Sequence, residues 1–565
     1  MMKKLSFWIT ILILVSCSTA QMSVDPSVKG TTGQKAMVVS ADPLASEVGS
    51  SIMNKGGNAW DAAIGVQFAL AVVFPVAGNI GGGGFAVFRE SSGEVGSLDF
   101  REKAPKRADR DMYLDDQGNI DGRKSLEGHL AAGVPGSVDG MVQLYDKYGS
   151  LPWSDLVQPA VELAREGFIL TEEGAANLNR GTKLIREVNK YEVHLLKEVE
   201  WKAGDKLVQE DLARTLERIR DDGRDGFYSG ETAKLIVDEM QSGGGIISYD
   251  DLESYQSVWR EPLIGNYRGK RIISMPPPSS GGVALIQLLE GVEAFPISRF
   301  GHNSWKSVHV MTEVEKRVYA DRATYLGDPD FYEVPVDMLL NEDYIRNRMA
   351  DIKLNRVTPA SDIKKGNVEI VESVQTTHFS VVDPDGNAVS ITTTLNSYFG
   401  CKVLVKGAGF FLNNEMDDFS VKAGVPNQFG LVGAEANEIV PEKRMLSSMT
   451  PTIVDDQDGL FMVVGTPGGS TIITSVFQTI LNVIDHGMNM QQAVNARRVH
   501  NQWLPDRILS EDHALNESVK KKLIRLGHTF EERGNIGRVD AILVLPNGDL
   551  EGGADPRGDD AAIGF

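Results

Sequence analysis

Gln375-Thr-Thr-His-Phe-Ser-Val-Val-Asp-Pro-Asp-Gly-Asn-Ala-Val-Ser-Ile-Thr-Thr-Thr-Leu-Asn396 reads as a β-hairpin. Residues 377–382 are rich in β-branched and aromatic side chains. Residues 383–387 carry Pro/Asp/Gly turn chemistry, and 388–395 form a second strand-like run. Composition alone is satisfied by a core hairpin whose threonines are there for β propensity. Just upstream, 353–374 is charged and weakly periodic, as expected of an exposed chain end at which a backbone can be cut.

The chain around this hairpin has 565 residues, 42% hydrophobic and 24% charged, which suits a globular protein with a sizeable core. A net charge of −21 argues against nucleic acid or an anionic membrane surface as partner. Only two cysteines, Cys17 and Cys401, are present, so neither a disulfide framework nor a cysteine-rich metal site is expected. Lys3 and Lys4 precede an apolar run, Leu5 to Val15, that reads as a secretory signal within 1–20. Leu14-Val-Ser-Cys17 is similar to a bacterial lipobox, which would lipidate Cys17; Ser18 after it favours the outer membrane, and the plain alternative is cleavage after Ala20. Either way export is expected, to the periplasm or to a lipid anchor, with 21–35 as a polar tether.

Outward from the tether, 36–40 is a strand candidate, 42–56 an amphipathic helix, and 60–73 a nearly all-apolar helix that should be buried. Gly81-Gly-Gly-Gly84 lacks the Lys-Ser/Thr of a phosphate loop and reads as close backbone packing before a strand at 85–89. Residues 137–252 are mostly helical. Residues 304–325 form a long helix whose Glu313, Glu315, Lys316, Arg317, Asp321 and Arg322 are read as a solvated or salt-bridged face.

Gln375-Thr-Thr-His-Phe-Ser with its Asp-Gly-Asn turn and Thr-Leu-Asn resembles the start of the small subunit of the γ-glutamyltranspeptidases, N-terminal-nucleophile hydrolases that cut their own chain before a threonine. Further landmarks are Asp99-Phe-Arg-Glu-Lys-Ala-Pro105, Gly133-Val-Pro-Gly136, Pro276-Pro-Pro-Ser-Ser-Gly-Gly282, Phe410-Phe-Leu-Asn-Asn-Glu-Met-Asp-Asp-Phe419, Arg444-Met-Leu-Ser-Ser-Met-Thr-Pro451, Gly465-Thr-Pro-Gly-Gly-Ser-Thr471 and Asp555-Pro-Arg557. The resemblance covers about 36–565. It implies an α+β fold, the four-layer αββα sandwich, as one domain built from a large subunit, 36–375, and a small catalytic subunit, 376–565, which stay together as a heterodimer.

The resemblance places self-cleavage between Gln375 and Thr376 and makes Thr376 the nucleophile. A threonine hydroxyl is a weak nucleophile without a base. The freed α-amine, with a pKa of roughly 7.7–8.0, would supply one, so no Ser-His-Asp set is needed. By the same resemblance Thr394 would hydrogen-bond the nucleophile, and the N–H groups of Gly468 and Gly469 would form the oxyanion hole. Arg101, Ser447 and Ser448 would hold the substrate α-carboxylate, Glu415 and Asp418 would hold the α-amino group, and Asn396 would touch the α-amino or the carboxylate end. Residues 424–437 match a lid loop. Phe429 stands where some relatives have a hydroxyl-bearing tyrosine, so closure would rest on ring packing. Glu415 and Met445 are departures, since glutamine and proline occur there in relatives.

The expected activity is transfer of a γ-glutamyl group from glutathione and related compounds to water, an amino acid or a peptide, through an ester on Thr376, with neither metal nor cofactor. The alternatives are a cephalosporin (glutaryl) acylase, a poly-γ-glutamate-processing relative, or a non-catalytic binding lipoprotein.

Overall fold

A computed structural model describes residues 25, 27–121, 123–363, 376–421, 425, 427–428 and 435–565. The signal segment with Cys17, the residue Gln375 and the lid position Phe429 lie outside the described residues. Two seven-stranded sheets carry the architecture. In chain order their strands are β1 (Thr31–Gly33), β2 (Met37–Ser40), β3 (Gly83–Arg89), β4 (Val95–Asp99), β5 (Val258–Arg260), β6 (Leu263–Tyr267), β7 (Lys270–Ser274), β8 (Thr377–Val382), β9 (Ala388–Thr394), β10 (Thr452–Asp456), β11 (Gly459–Gly465), β12 (Asp540–Val544), β13 (Leu550–Gly553) and β14 (Ala561–Gly564). One sheet runs β14-β2-β8-β9-β3-β4-β5 and the other β1-β13-β12-β11-β10-β7-β6, every neighbouring pair antiparallel.

Three apolar cores give the layering. Met37, Val39, Phe85 and Val87 of one sheet meet Ile273, Ile453, Val463 and Ile542 of the other, filling the space between the sheets. A second core lies on the outer face of the first sheet under helices α1 (Pro43–Asn54) and α2 (Ala59–Val73). A third lies on the outer face of the second sheet under α3 (Gly281–Glu293), α4 (Trp305–Tyr325) and α5 (Ile472–Ile484). Alternate side chains of each strand serve two cores, so both faces of both sheets are buried. The result is the four-layer αββα arrangement, α+β in class.

The hairpin at the centre forms as its composition predicts. β8 and β9 pair from Thr377↔Thr393 to Val382↔Ala388. Asp383 Oδ1 accepts from the N–H groups of Asp385 and Asn387 and closes the turn. α2 is buried along its whole length and starts at a capping box in which the Asn58 side chain accepts from Trp60 and Asp61. The glycine run passes where nothing larger fits. A Cβ on Gly82 would stand 2.0 Å from the Thr394 carbonyl oxygen, and one on Gly84 would stand 2.4 Å from that of Thr392.

One expectation fails in an informative way. The charged residues of α4 are not solvated: Glu313, Glu315, Lys316, Arg317, Asp321 and Arg322 are all buried. Several are ion-paired, as the salt-bridged half of that reading allowed. Arg317 meets Glu313 at 3.0 Å and Asp351 at 2.7 Å, Lys316 meets Asp506 at 2.6 Å, and Asp321 meets Arg348 at 3.1 Å. Among the described residues no helix is long and apolar enough to cross a membrane.

Candidate active site

Thr376 sits at the mouth of β8, and the register of the hairpin brings it opposite Thr394, the last residue of β9. The two hydroxyls are 3.4 Å apart. Thr394 Oγ1 is fixed by the backbone N–H of Asn396 at 2.7 Å. The Thr394 carbonyl accepts from the side-chain amide of Asn79 at 3.0 Å, while Asn79 Oδ1 accepts from the N–H of Gly82 and the hydroxyl of Ser137. The end of β9 is thus held by a buried amide, Asn79, that no motif in the chain singles out.

Asn396 turns the chain back at a left-handed φ of 72°, a conformation that asparagine tolerates better than most residues. Its side-chain amide donates to the Asn414 carbonyl at 3.0 Å and lies 3.5 Å from Asp418 Oδ1. Asn427, from the described part of the lid stretch, donates to the same Asp418 oxygen at 3.0 Å, and the Gln428 N–H donates to Asp417 at 3.0 Å.

Arg101, at the end of β4, is buried among carboxylates. Its guanidinium meets Glu415 and Asp418, each at 2.7 Å, and Glu102 at 3.7 Å. Burial works against the charge of Arg101, but these three acids outweigh it and hold the group firmly protonated. The acids respond in the opposite sense. Burial raises Glu415 well above the usual carboxylate range and pushes Glu102 up to about 8, with Arg101 pulling both back. Asp418 is also raised by burial.

Ser447 and Ser448 face this cluster from the loop before β10. The Ser447 hydroxyl oxygen accepts from the N–H of Met449 at 3.1 Å. Gly468 and Gly469 lie between β11 and α5, both at positive φ, 146° and 54°. No acceptor among the described residues takes the N–H of either. Thr376, Thr394, Asn396, Arg101, Glu415, Asp418, Ser447, Ser448 and Gly469 together line one cavity of about 300 Å³, open mouth included. Gly468 is the neighbour of Gly469 rather than a lining residue. On its other side Thr376 borders a wider recess lined by Phe74, Asn177, Arg180, Tyr398 and Arg538.

His378, two residues past Thr376, is not part of this constellation. It is buried between Thr392 and Ser380, 2.9 and 3.1 Å from their hydroxyls, and burial lowers its pKa to about 3. Cys401 is also buried, and its thiol is pushed up to about 12. Three residues absent from the sequence reading of the site belong to it: Asn79, Glu102 and Arg322. A signal for the last existed in the spacing of Glu315, Tyr319 and Arg322, which places them on one face of α4. Glu315 accepts from the N–H of Asn501 at 3.0 Å, the Tyr319 hydroxyl donates to the Ser470 carbonyl at 2.5 Å, and Arg322 donates to the Ser448 hydroxyl at 3.0 Å.

Comparison with known proteins agrees with this geometry. A family model described as gamma-glutamyltranspeptidase matches residues 45–565. The chain is 47% identical over 535 residues to the glutathione hydrolase proenzyme of Escherichia coli (strain K12), covering 94% of this chain and 92% of that one. Among solved structures, the gamma-glutamyltranspeptidase of Helicobacter pylori is 45% identical, with a TM-score of 0.58 over 60% of this chain and 97% of that chain. A cephalosporin acylase from Bacillus halodurans is 26% identical, with a TM-score of 0.83 over 95% of this chain and 97% of that chain. The sandwich, the threonine at the mouth of its central hairpin and the match over 45–565 lead to one assignment: the chain belongs to the gamma-glutamyltranspeptidase family.

Proposed function

We propose that the chain cuts itself between Gln375 and Thr376 and then acts as a γ-glutamyl hydrolase and transferase on glutathione and related γ-glutamyl compounds. The observation that carries this reading is the pairing of Thr376 with Thr394 at the edge of a cavity whose far wall is both acidic and hydroxylated. That wall suits an α-amino acid end group, with ammonium toward Glu415 and Asp418 and carboxylate toward Ser447 and Ser448. A glutaryl substrate has no ammonium to set against Glu415 and Asp418, two acids that share the single charge of Arg101, which disfavours the acylase alternative.

In this reading the freed Thr376 amine takes the hydroxyl proton as Oγ1 attacks the γ-carbonyl carbon. The oxyanion forms toward the Gly468 and Gly469 N–H groups, each such donor typically worth about 3–4 kcal/mol in the transition state. The amine leaving group departs with the proton through the wider recess, and water or an acceptor amine then breaks the ester. The N-terminal 20 residues direct export, and Cys17 is the candidate lipid anchor.

Intact mass of the purified protein, wild type beside Thr376→Ala, is the test. Two fragments that split before Thr376 in wild type and are absent from the variant, together with release of glutamate from glutathione by wild type alone, are expected. A single uncut, inactive wild-type chain would sink the proposal.

A further inference from the structure

Two peptide units, Pro467–Gly468 and Gly468–Gly469, carry the N–H groups toward which the oxyanion forms. In each, a threonine holds the carbonyl. Both peptides are trans, so within each the N–H points away from the C=O. The Gly468 carbonyl accepts from the Thr471 hydroxyl at 2.8 Å and from the Thr471 N–H at 3.0 Å. That fixes the peptide plane, and the Gly469 N–H leaves on the side away from Thr471. The Pro467 carbonyl accepts from the Thr466 hydroxyl at 2.8 Å, which sets the Gly468 N–H in the same manner. Thr466 Oγ1 is itself held by the Arg538 N–H at 2.8 Å. Pro467 lines the wider recess and Gly469 the cavity, while Thr376 borders both, so the two peptides straddle the nucleophile.

Glycine permits this path, but it does not fix it. A glycine peptide has no side chain to pack and can swing about its flanking bonds, so a hold on its carbonyl is what stops it. Both threonines are buried, at 0% and 1% exposure for Thr466 and Thr471. A Cβ on Gly468 would stand 2.6 Å from Thr471 Oγ1, so the hydroxyl fills the space of a larger residue's side chain. Donors aimed before the reaction stabilise the oxyanion without reorganising when it forms.

We propose that Thr466 and Thr471 are positioning residues for the reaction. Acting through the Pro467 and Gly468 carbonyls, their hydroxyls aim the Gly468 and Gly469 N–H groups at the oxyanion. This rests on the γ-glutamyl reading above. The two holds are unequal. Thr471 keeps its backbone N–H on the Gly468 carbonyl whatever its side chain, whereas among the described residues no backbone N–H reaches the Pro467 carbonyl.

Valine removes the hydroxyl at nearly constant volume. On γ-glutamyl p-nitroanilide, kcat should fall about 3- to 30-fold in Thr471→Val and about 10- to 100-fold in Thr466→Val, below the roughly 10²- to 10³-fold cost of losing a donor outright. KM should stay within about twofold, because the oxyanion exists only beyond the ground state. Thr471→Ser and Thr466→Ser keep the hydroxyl and should return kcat to within about threefold of wild type. Two inhibitors add a readout that a loosened fold does not give. One carries a boronic acid in place of the γ-amide and becomes tetrahedral on the Thr376 oxygen. The other, norvaline, keeps the α-ammonium and α-carboxylate but has no γ-oxygen. The valine variants should lose affinity for the boronate in step with kcat/KM and keep that for norvaline. All are measured on protein shown by intact mass to be cut. Thr466→Val also leaves the Arg538 N–H without its acceptor, so if it does not mature Thr471→Val carries the test. Unchanged kcat in a matured valine variant, equal loss of affinity for both inhibitors, or no recovery with serine overturns the proposal. Absence of any wild-type activity on the γ-glutamyl anilide would instead overturn the reading on which it rests.

Discussion

The hydroxyl of Thr376 faces that of Thr394 across the end of a single hairpin at 3.4 Å, and the Asn396 N–H anchors Thr394 at 2.7 Å. Thr394 Oγ1 accepts both the Asn396 N–H and the Thr376 hydroxyl, so it fixes the direction in which the nucleophile points. Thr394→Ala should slow both chain cleavage and turnover by about 5- to 30-fold, the worth of one hydrogen bond in a buried site of about 1–2 kcal/mol. Thr394→Ser should restore most of the rate. Time courses of fragment appearance and single-turnover kinetics check this, and equal rates in Thr394→Ala and wild type would remove Thr394 from the mechanism.

Glu415 carries a pKa raised by burial, and in the proposed reading it receives the substrate ammonium. A proton retained by the acid cluster must leave before the ammonium can enter, so donor KM should fall as pH rises above the usual carboxylate range. Glu415→Gln cannot titrate, and its donor KM should vary less over pH 6–9. Parallel KM profiles in the two proteins would show that the cluster does not exchange a proton for substrate.

Glu102 makes a stability prediction of definite sign. Its pKa goes from 4.5 to about 8 on folding because burial penalises the carboxylate. Between those values the folded state holds a proton that the unfolded state has lost, so the contribution is fully present below pH 4.5 and is lost as pH rises through about 8. The slope approaches about 1.4 kcal/mol per pH unit at most. In denaturant titrations of the uncut Thr376→Ala protein, adding Glu102→Gln should flatten the decline between pH 5 and pH 8. An unaltered slope would mean that Glu102 is ionised in the fold throughout.

Gly82→Ala tests the glycine run. Its Cβ would fall 2.0 Å from the Thr394 carbonyl, a backbone atom that cannot step aside without moving the end of β9. The expected cost is at least 1–3 kcal/mol, with loss of self-cleavage in whatever protein folds. Normal maturation in this variant would show that the hairpin has slack at its active end.

How much of this was visible in the chain itself follows from where each signal resides. The hairpin was legible residue by residue at Thr377–Val382 because β propensity and turn chemistry are local. α2 was legible because a nearly all-apolar run, broken only by Asp61 and Gln67, has no face to offer to water. The charges of α4 were half misread for the converse reason: local pattern makes Glu313, Lys316 and Arg317 an exposed face. Their partners Asp351 and Asp506, and the Thr358 carbonyl that accepts from Lys316, lie tens to hundreds of residues away. The same holds for Arg322, whose hydrogen-bond partners Ser280 and Ser448 lie far off in sequence. The acids around Arg101 were legible only through the resemblance, since an Asp-Asp pair is by itself unremarkable in sequence.

The sheets interleave strands from both sides of residue 376. β2 lies between β14 and β8, and the run β13-β12-β11-β10 is flanked by β1 and by β7. A chain cut before Thr376 would therefore inherit a topology that only the longer chain could write. Once denatured, its two pieces would have to find each other and thread alternate strands, a bimolecular problem that the precursor solves within one molecule. Heat damage to the mature protein should then be one-way and dependent on dilution, while the uncut Thr376→Ala protein can still retrace its route.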